Sequence, residues 1–280
     1  MIAQNKVWFI TGVSSGLGRH LAEEVAKSGN IVIGTVRKQE QLAGINDLLK
    51  GKTFGYLLDV NDHQQVNETI HAVVNEFGQI DVLVNNAGYG LMGAIEETSM
   101  EEARAQMETN FFGALAVTQA VLPVMRKQGS GHIVQISSQA GISANHGLGI
   151  YNASKFALEG FSEALYKEVL PLGIKVTLVE PGPFRTEWAG ASMKFAEKTI
   201  EAYADTAGRL KQYIQSISGN QPGDPIAGAH SIMKIVAAEN PPLRLALGKL
   251  AVETLRKKAD WIKQEVADWE KVSADADYKN

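Results

Sequence analysis

Short apolar runs alternate with longer segments of helical periodicity along most of the chain. Seven runs rich in β-branched and other apolar residues have the pattern of strands: 7–10, 31–36, 54–60, 81–88, 132–138, 174–182 and 243–248. Between the third and fourth runs, Val66, Ile70 and Val73 recur at the spacing of one helix face. The runs are apolar at nearly every position, as expected when helices cover both faces of a sheet. The pattern predicts a doubly wound parallel α/β sheet of seven strands in a single domain over residues 1–280.

Two segments fall outside this alternation. Residues 184–222 separate the sixth and seventh runs and carry scattered large side chains, at Trp188, Met193, Phe195, Ile200 and Tyr203. After residue 249, apolar residues recur every three or four positions, at Leu255, Ala259, Ile262, Val266 and Trp269. This spacing predicts an amphipathic C-terminal helix within 249–280. We expect its apolar stripe to pack on the body of the protein or on another subunit.

Charge and composition narrow the classes of function. The 280 residues carry a formal net charge of −4, which does not favour nucleic-acid binding. The chain has no cysteine, which excludes disulfides, thiolate metal sites and cysteine nucleophiles and favours a cytoplasmic location. We find no signal-peptide pattern and no apolar run near the roughly 20 residues that span a bilayer. The six histidines lack the spacing of metal ligands, so no metal site is predicted.

A glycine-rich turn follows the first predicted strand and opens the first predicted helix. Its glycines are Gly12, Gly16 and Gly18, and backbone N–H groups at such a turn can bind a pyrophosphate. The same letters fit the G-x-S-x-G elbow of serine hydrolases, with Ser14 as the nucleophile. An elbow serine, however, follows an internal strand, whereas this turn follows the first. The position of the turn therefore favours a phosphate site, with a tight turn that binds no ligand as the structural alternative.

A second group of residues can supply proton chemistry. Tyr151 and Lys155 stand at i and i+4 of a helical pattern and therefore share a face. A neighbouring ammonium favours the phenolate and lowers the pKa of a tyrosine. Such a pair is common on ordinary helices, but Ser138 ends a predicted parallel strand, at the edge of the sheet where the glycine turn also lies.

These motifs together resemble the short-chain dehydrogenase/reductase family over essentially the whole chain. The shared motifs are the glycine turn, "LDV" at 58–60, "NNAG" at 85–88, Asn110, Ser138, Tyr151-x-x-x-Lys155 and "PG" at 181–182. The C-terminal extension resembles the hydroxysteroid and retinol dehydrogenase branch. The resemblance implies a Rossmann-type sheet, a nicotinamide dinucleotide and hydride transfer between an alcohol and a carbonyl. A dinucleotide sensor without activity on the same scaffold is the alternative, although such proteins usually lose the tyrosine or the lysine.

The resemblance also implies a role for each matching residue. Tyr151 is expected to protonate the carbonyl oxygen, Ser138 to polarise it, and Lys155 to lower the tyrosine pKa and bind the nicotinamide ribose. Asn110 is expected to position a water that links Lys155 to solvent. The expected cofactor-binding residues are Gly12, Ser14, Ser15, Gly16, Leu17, Gly18, Asp59, Val60, Asn86, Ala87, Gly88, Tyr151, Lys155, Pro181, Gly182 and Thr186.

The choice between the two nicotinamide dinucleotides depends on the end of the second strand. Val36 stands where an NAD-binding site carries an acidic residue, and Arg37 and Lys38 follow it. A guanidinium can bind a ribose 2′-phosphate through charge-assisted hydrogen bonds, with Ser14 or Ser15 as a further donor. The sequence therefore predicts NADP(H) over NAD(H). The alternative is that Arg37 begins the next helix in solvent.

The substrate and the assembly are predicted more coarsely. The resemblance implies a substrate lid in residues 184–222, predicted to be helical, and its large side chains favour apolar ketones, aldehydes or secondary alcohols. The expected substrate contacts are Ser138, His146, Tyr151, Phe184 and Trp188, with an ordinary loop position as the alternative for His146. The resemblance also implies a homodimer or homotetramer paired through helices over 100–127 and 152–170.

Overall fold

Nine strands form two parallel sheets in the computed structural model, which describes residues 5–190 and 192–278. The strands are β1 Val7–Ile10, β2 Ile31–Val36, β3 Thr53–Leu57, β4 Val82–Asn85, β5 Gly90–Met92, β6 Gly131–Ile136, β7 Ile174–Pro181, β8 Met193–Phe195 and β9 Arg244–Leu247. Seven of them make one sheet in the order β3-β2-β1-β4-β6-β7-β9. The chain reverses its direction of progress between β1 and β4, and ligands of doubly wound sheets bind at this switch point.

Helices cover both faces of the large sheet. They are α1 Gly16–Lys27, α2 Leu42–Asn46, α3 His63–Phe77, α4 Met100–Met107, α5 Gly113–Gln128, α6 Gly149–Val169, α7 Arg209–Ile217, α8 Pro225–Ala237 and α9 Lys249–Ala274. Side chains of α1 and α8 pack on one face of the sheet, and side chains of α3, α5 and α6 pack on the other. Local chemistry sets the helix ends: α3 begins where the Asp62 carboxylate accepts from Gln65 N at 2.9 Å and ends before Gly78, whose φ is 80°. Within the described ranges, none of these helices is both long and apolar enough to cross a membrane.

The predicted fold class and all seven main strands are confirmed, with differences at the strand ends. The predicted strands 54–60 and 81–88 end earlier, at Leu57 and Asn85, because the chain turns there to form loops at the carboxyl edge of the sheet. The small sheet in which β5 pairs with β8 was not predicted, since three residues are too few to show periodicity. The segment 184–222, predicted to be a helical lid, combines β8 and several short turns with the single α-helix α7.

The C-terminal helix is present as predicted, but its apolar stripe is not covered by the body of the chain. Ala251 is buried, whereas Ile262, Val266 and Trp269 are 47%, 65% and 63% exposed. Of the two expected partners of the stripe, the body of the chain is therefore wrong, and another subunit stays a prediction. The helix leaves the body after its first turns.

Two buried carboxyl groups share one arginine beside β7. Arg244 Nε lies 3.3 Å from Glu159 Oε2 and 3.4 Å from Glu180 Oε1, and Arg244 Nη2 lies 3.0 Å from the exposed Glu163 carboxylate. Burial and the nearby Glu159 charge raise the pKa of Glu180, Arg244 opposes both, and the net result is a pKa of about 8. Burial also raises the pKa of Glu159. One cation cannot neutralise two buried carboxylates, so the pair holds a proton near neutral pH.

This proton makes stability depend on pH in a defined direction. The pKa of Glu180 rises from an ordinary 4.5 to about 8 on folding, so the folded state binds the proton more tightly and stability falls as pH rises between these values. Glu180→Gln removes this titration. The unfolding free energies of the variant and the wild type are measured by urea denaturation from about pH 5 to 8. The value for the variant minus that for the wild type is expected to rise with pH, at most with the slope of one proton. Glu163→Gln changes the exposed partner of Arg244 and is the control. Its difference from wild type in unfolding free energy should not change over this pH range. A pH-independent difference for Glu180→Gln would contradict the assignment.

Candidate active site

The glycine turn between β1 and α1 brings backbone within van der Waals contact of the loop after β4. Gly12 and Gly16 have φ values of 70° and 62°, in the region that only glycine adopts without strain. A Cβ at Gly12 would lie 2.9 Å from Ala87 Cα, and a Cβ at Gly18 would lie 2.8 Å from the Gly12 carbonyl oxygen. The glycines are therefore needed for a close approach of two backbone segments.

Thr11 and Asn86 join these two segments by hydrogen bonds. Thr11 Oγ1 accepts from the backbone N–H groups of Asn86 and Ala87, both at 3.0 Å. Asn86 Nδ2 donates to the carbonyl oxygens of Thr11 and Gly12, both at 2.9 Å. The Asn86 amide thus holds the turn in place. Thr11, outside the predicted binding residues, was signalled by its place at the start of the glycine motif.

The turn offers backbone donors at the start of α1. Ser15 precedes the first residue of the helix, and its side chain makes no capping hydrogen bond. The N–H groups in the first turn of a helix have no partner within the helix and can bind a phosphate. Ser14 is exposed beside them, and Leu17 is half-buried. A Cβ at Gly16 would lie 3.6 Å from Thr186 Cβ, so Thr186 faces the turn across the cleft.

The residues predicted to contact the adenosine half lie at the ends of β2 and β3. Val36 is buried, and Arg37 and Lys38 follow it in exposed positions, with Lys38 Nζ 3.9 Å from Glu40 Oε1. Asp59 Oδ1 accepts from Asn61 N at 3.0 Å, so this carboxylate stabilises its own turn. Val60 is buried and would contact a Cβ at Gly113.

Tyr151 lies in the first turn of α6 with its side chain buried. Burial raises the pKa of the phenol to about 12, and hydrogen bonding to Ser138 and Trp188 opposes this rise. Ser138 follows β6, and its Oγ also accepts from Ala140 N at 3.1 Å. The Trp188 ring lies 5.4 Å from the Tyr151 ring, centroid to centroid. The phenol is therefore held as a protonated group between a hydroxyl and an indole.

Lys155 stands one helical turn after Tyr151 and is also buried. Its Nζ donates to the Ile136 carbonyl oxygen at 2.8 Å. Burial lowers the pKa of the ammonium to about 8, and the Glu159 carboxylate opposes this shift. The expected lowering of the Tyr151 pKa does not occur in this structure, because the loss of phenolate hydration outweighs the hydrogen bonds of Ser138 and Trp188.

Asn110 connects the loop after β4 to helix α6. It lies in a π-helical turn, Glu108–Phe112, an irregularity frequent at functional sites. Its Nδ2 donates to Tyr89 O at 3.0 Å and to Ser154 Oγ at 3.1 Å, and its Oδ1 accepts from Tyr89 N at 3.1 Å. A Cβ at Gly88 would lie 3.0 Å from Asn110 Oδ1 and 3.8 Å from Lys155 Nζ. Tyr89 and Ser154 were missed, although Tyr89 directly follows the "NNAG" motif and Ser154 lies within "YNASK".

An apolar wall stands beside the Tyr151 ring. Among its buried members are Met92, Leu148, Met193 and Ile214, and Trp188 and Phe195 pack against them. The sequence pointed to Trp188, Met193 and Phe195 but missed the contributions of β5 and α7. These side chains make the surroundings of the phenol apolar.

The remaining predicted site residues lie at the carboxyl edge of the sheet, in the loop before α6 and in a separate hydrophobic cluster. Pro181 ends β7, and Gly182 N donates to Leu247 O at 3.0 Å, so both lie at the carboxyl edge of the sheet. His146 is exposed in the loop before α6. Phe184 packs on another cluster, where a Cβ at Gly228 would lie 2.8 Å from its ring, so the structure does not bring it to Tyr151. In the described ranges no three His, Asp or Glu side chains are grouped as metal ligands.

Sequence comparisons identify the family to which this arrangement belongs. The family model for short chain dehydrogenase matches residues 6–196, more than half of the chain. Oxidoreductase BOA17 of Botryotinia fuckeliana is 40% identical over 96% of this chain and 98% of its own length. The 3-ketodihydrosphingosine reductase of Bacteroides thetaiotaomicron is 40% identical over 92% of this chain and 94% of its own length. Retinol dehydrogenase 8 of Homo sapiens is 36% identical over 87% of this chain and 82% of its own.

Solved structures agree with the family match. A short-chain dehydrogenase from Streptomyces avermitilis is 42% identical and superposes with a TM-score of 0.92 over 99% of this chain and all of its own. A family structure from Burkholderia phymatum in complex with NAD is 25% identical over 94% of this chain and 95% of its own, with a TM-score of 0.82. ElxO with NADP bound is 32% identical over 85% of this chain and 93% of its own, with a TM-score of 0.70. The resemblance inferred from the motifs is thus confirmed: the chain belongs to the short-chain dehydrogenase family, whose members bind a nicotinamide dinucleotide.

Proposed function

We propose that the protein is an active oxidoreductase that transfers a hydride between NADP(H) and an apolar ketone, aldehyde or secondary alcohol. The observation that carries the proposal is the grouping of the buried Tyr151 and Lys155 with the half-buried Ser138 at the sheet edge where the glycine turn lies. The glycine turn and the free N–H groups of α1 fit a pyrophosphate. The predicted cytoplasmic location is part of the same proposal.

The residues of the site divide the proton chemistry. The nicotinamide, when bound, supplies or accepts the hydride. In reduction, Tyr151 donates its phenolic proton to the carbonyl oxygen, and the Lys155 ammonium one helical turn away favours the phenolate that this leaves. Ser138 donates a hydrogen bond to the same oxygen and polarises the carbonyl. Lys155 binds the ribose hydroxyls through its ammonium, and Asn110 positions a water that connects Lys155 with solvent.

The apolar wall supports a hydrophobic substrate. Trp188, Met193 and Phe195 pack into one cluster with Tyr151, so a molecule that reaches the phenol must contact aromatic and aliphatic side chains. The name of the Bacteroides relative describes the reduction of a ketone on a long aliphatic chain. An assay with ketones and aldehydes of increasing chain length, with both cofactors and in both directions, tests this choice. Cofactor binding without turnover of any of them would favour the sensor alternative.

The charge around Arg37 supports NADP(H). Within the described ranges, no carboxylate lies within salt-bridge distance of the Arg37 guanidinium, whereas Lys38 faces Glu40 at 3.9 Å. The buried Val36 offers no carboxylate to accept from a ribose 2′-hydroxyl and to repel a 2′-phosphate. Arg37 is therefore the residue that we assign to the 2′-phosphate.

The exposed residues of α5 and α6 support the predicted homodimer or homotetramer. Phe112, Phe156 and Leu170 are 42%, 44% and 54% exposed near these helices. Closed two-fold pairing would bury such side chains. A dimeric or tetrameric mass is expected from light scattering at micromolar concentration. A monomeric mass there would refute this part of the proposal.

Replacement of Tyr151 by Phe tests the assignment of the proton donor. Tyr151→Phe keeps the ring and removes only the hydroxyl, so kcat is expected to fall by about 10²–10⁴-fold, while cofactor affinity, measured by calorimetry, stays close to wild type. Tyr56→Phe removes a hydroxyl that bonds to Glu76 outside the site and is the matched control. The assignment is wrong if Tyr151→Phe retains more than about a third of the wild-type kcat.

Exchange of the residues after β2 tests the cofactor preference. One charged hydrogen bond contributes about 1.5–3 kcal/mol, so Arg37 alone gives NADP(H) a roughly 10- to 150-fold advantage in kcat/KM. Val36→Asp with Arg37→Ala is expected to reverse the order of the two cofactors. Lys50→Ala, at an exposed lysine in the loop before β3, is the control and should leave the ratio unchanged. Equal kcat/KM for NADP(H) and NAD(H) in the wild type would contradict the assignment.

A further inference from the structure

Helix α9 projects from the body of the protein for most of its length. Ala251 is buried and residues 252–255 are half-buried, but every residue from Ala259 to the end of the helix is exposed. These 16 residues, at 1.5 Å each, extend for about 24 Å. An isolated helix of this length is marginal in water, because most helical stability in proteins comes from packing of an apolar face.

The projecting part carries such a face without a covering element. Ala259, Ile262, Val266 and Trp269 follow one another at spacings of three and four, and we call them the α9 stripe. Ile262 is 47% exposed, Val266 65% and Trp269 63%. This spacing is the a/d pattern through which two helices pack side by side. The stripe is therefore suited to another helix.

The charges along α9 are unevenly distributed, and they indicate which kind of helix fits the α9 stripe. Cationic residues predominate up to position 263: Lys249, Arg256, Lys257, Lys258 and Lys263, against Glu253 and Asp260. Carboxylates predominate after it: Glu265, Asp268 and Glu270 in the helix and Asp275 and Asp277 beyond its end, against Lys271 and Lys279. A second α9 in antiparallel orientation places its acidic half beside the cationic half of the first. A parallel pair would place like charges beside each other.

We propose that the α9 stripe is a contact between two copies of the chain, whose α9 helices pack antiparallel about a two-fold axis. The exposed part runs from Ala259 to Ala274, so full overlap of two such parts puts the axis beside Val266. Each Trp269 then lies level with position 264 of the other copy, between its stripe residues Ile262 and Val266. The contact is isologous, the commonest kind among soluble oligomers.

The charges also argue against a membrane as the occupant of this face. Helices that lie on anionic lipid carry cations along the polar edge of the apolar face. Here Glu265, Asp268 and Glu270 surround Trp269, the largest side chain of the stripe. Their carboxylates would be repelled by an anionic surface. The second copy remains the occupant with matching charge.

Single cysteines test both the contact and its direction, because the chain has none of its own. A disulfide needs Cα atoms within about 7 Å, a condition that an antiparallel pair meets only near the axis. Val266→Cys is expected to form a covalent dimer on mild oxidation, seen on a non-reducing gel. Ala259→Cys, on the stripe but far from the axis, and Lys271→Cys, on the opposite face, should stay monomeric. Cross-linking of Ala259→Cys as strongly as Val266→Cys would indicate a parallel pair and overturn the proposal.

A second experiment disrupts the α9 stripe by substitution and repeats the cysteine cross-linking. Ile262→Lys added to Val266→Cys is expected to reduce the covalent dimer at least tenfold, whereas Gln264→Lys, with the same added charge on the opposite face, should leave it intact. Thermal melting and cofactor binding verify that each variant is folded, and carbonyl reduction is scored separately, so failure of the proposed function leaves this test readable. If Val266→Cys cross-links no more than Lys271→Cys, the contact does not exist. Flotation of the wild type with phosphatidylcholine–phosphatidylserine vesicles that Ile262→Lys abolishes would assign the stripe to a membrane and overturn the proposal.

Discussion

The close approach of the glycine turn to the loop after β4 is the constraint on which the site depends. Backbone atoms of Gly12 and Ala87 come so near each other that no Cβ fits between them, and Thr11 and Asn86 hold the two segments with four hydrogen bonds. This contact occurs at the reversal of strand order, where two neighbouring loops diverge and leave a crevice. The start of α1 and the approach to Lys155 therefore face the same space.

Burial is the second determinant, and it acts on several titratable groups at once. Tyr151, Lys155 and Glu180 all lose hydration, which keeps the phenol protonated, weakens the proton affinity of the ammonium and holds a proton on the carboxyl pair. Glu159 lies one helical turn after Lys155 and opposes the fall of its pKa. Glu159, a member of the Arg244 cluster, thus stabilises the charged form of Lys155. The Ile136 carbonyl oxygen accepts from the ammonium and fixes its position.

The sequence was informative where a function needs a particular residue type at a particular spacing. The glycine turn could be placed from its position after the first strand, whereas Ser138, Tyr151 and Lys155 needed the family motif, because a Tyr–Lys pair at helical spacing is by itself common. Side-chain partners could not be read from the chain: Thr11 with Asn86, and Asn110 with Tyr89, join residues far apart in sequence. The packing of Phe184 could not be read from the chain either, since Gly223, Gly228 and Gly248 create a space for its ring that no local pattern reveals. The pKa of Tyr151 depends on burial, which the spacing of a Tyr–Lys pair does not contain.

The small sheet β5–β8 shows how the substrate side is tied to the proton-handling side. Residues 89–92 contact both sides. The backbone of Tyr89 makes hydrogen bonds with Asn110 on the proton-handling side. Gly90–Met92 pair with Met193–Phe195, in the segment that forms the apolar wall. A Cβ at Gly90 would lie 2.8 Å from Met193 Sδ and 3.0 Å from the Trp188 ring, so the absence of a side chain lets the wall close on this strand. The wall is thereby held in register with Asn110 and α6. A shift of the segment after β7 must therefore move either the β5–β8 pairing or the Asn110 hydrogen bonds, and this couples the shape of the apolar cleft to the placement of Lys155 and Tyr151.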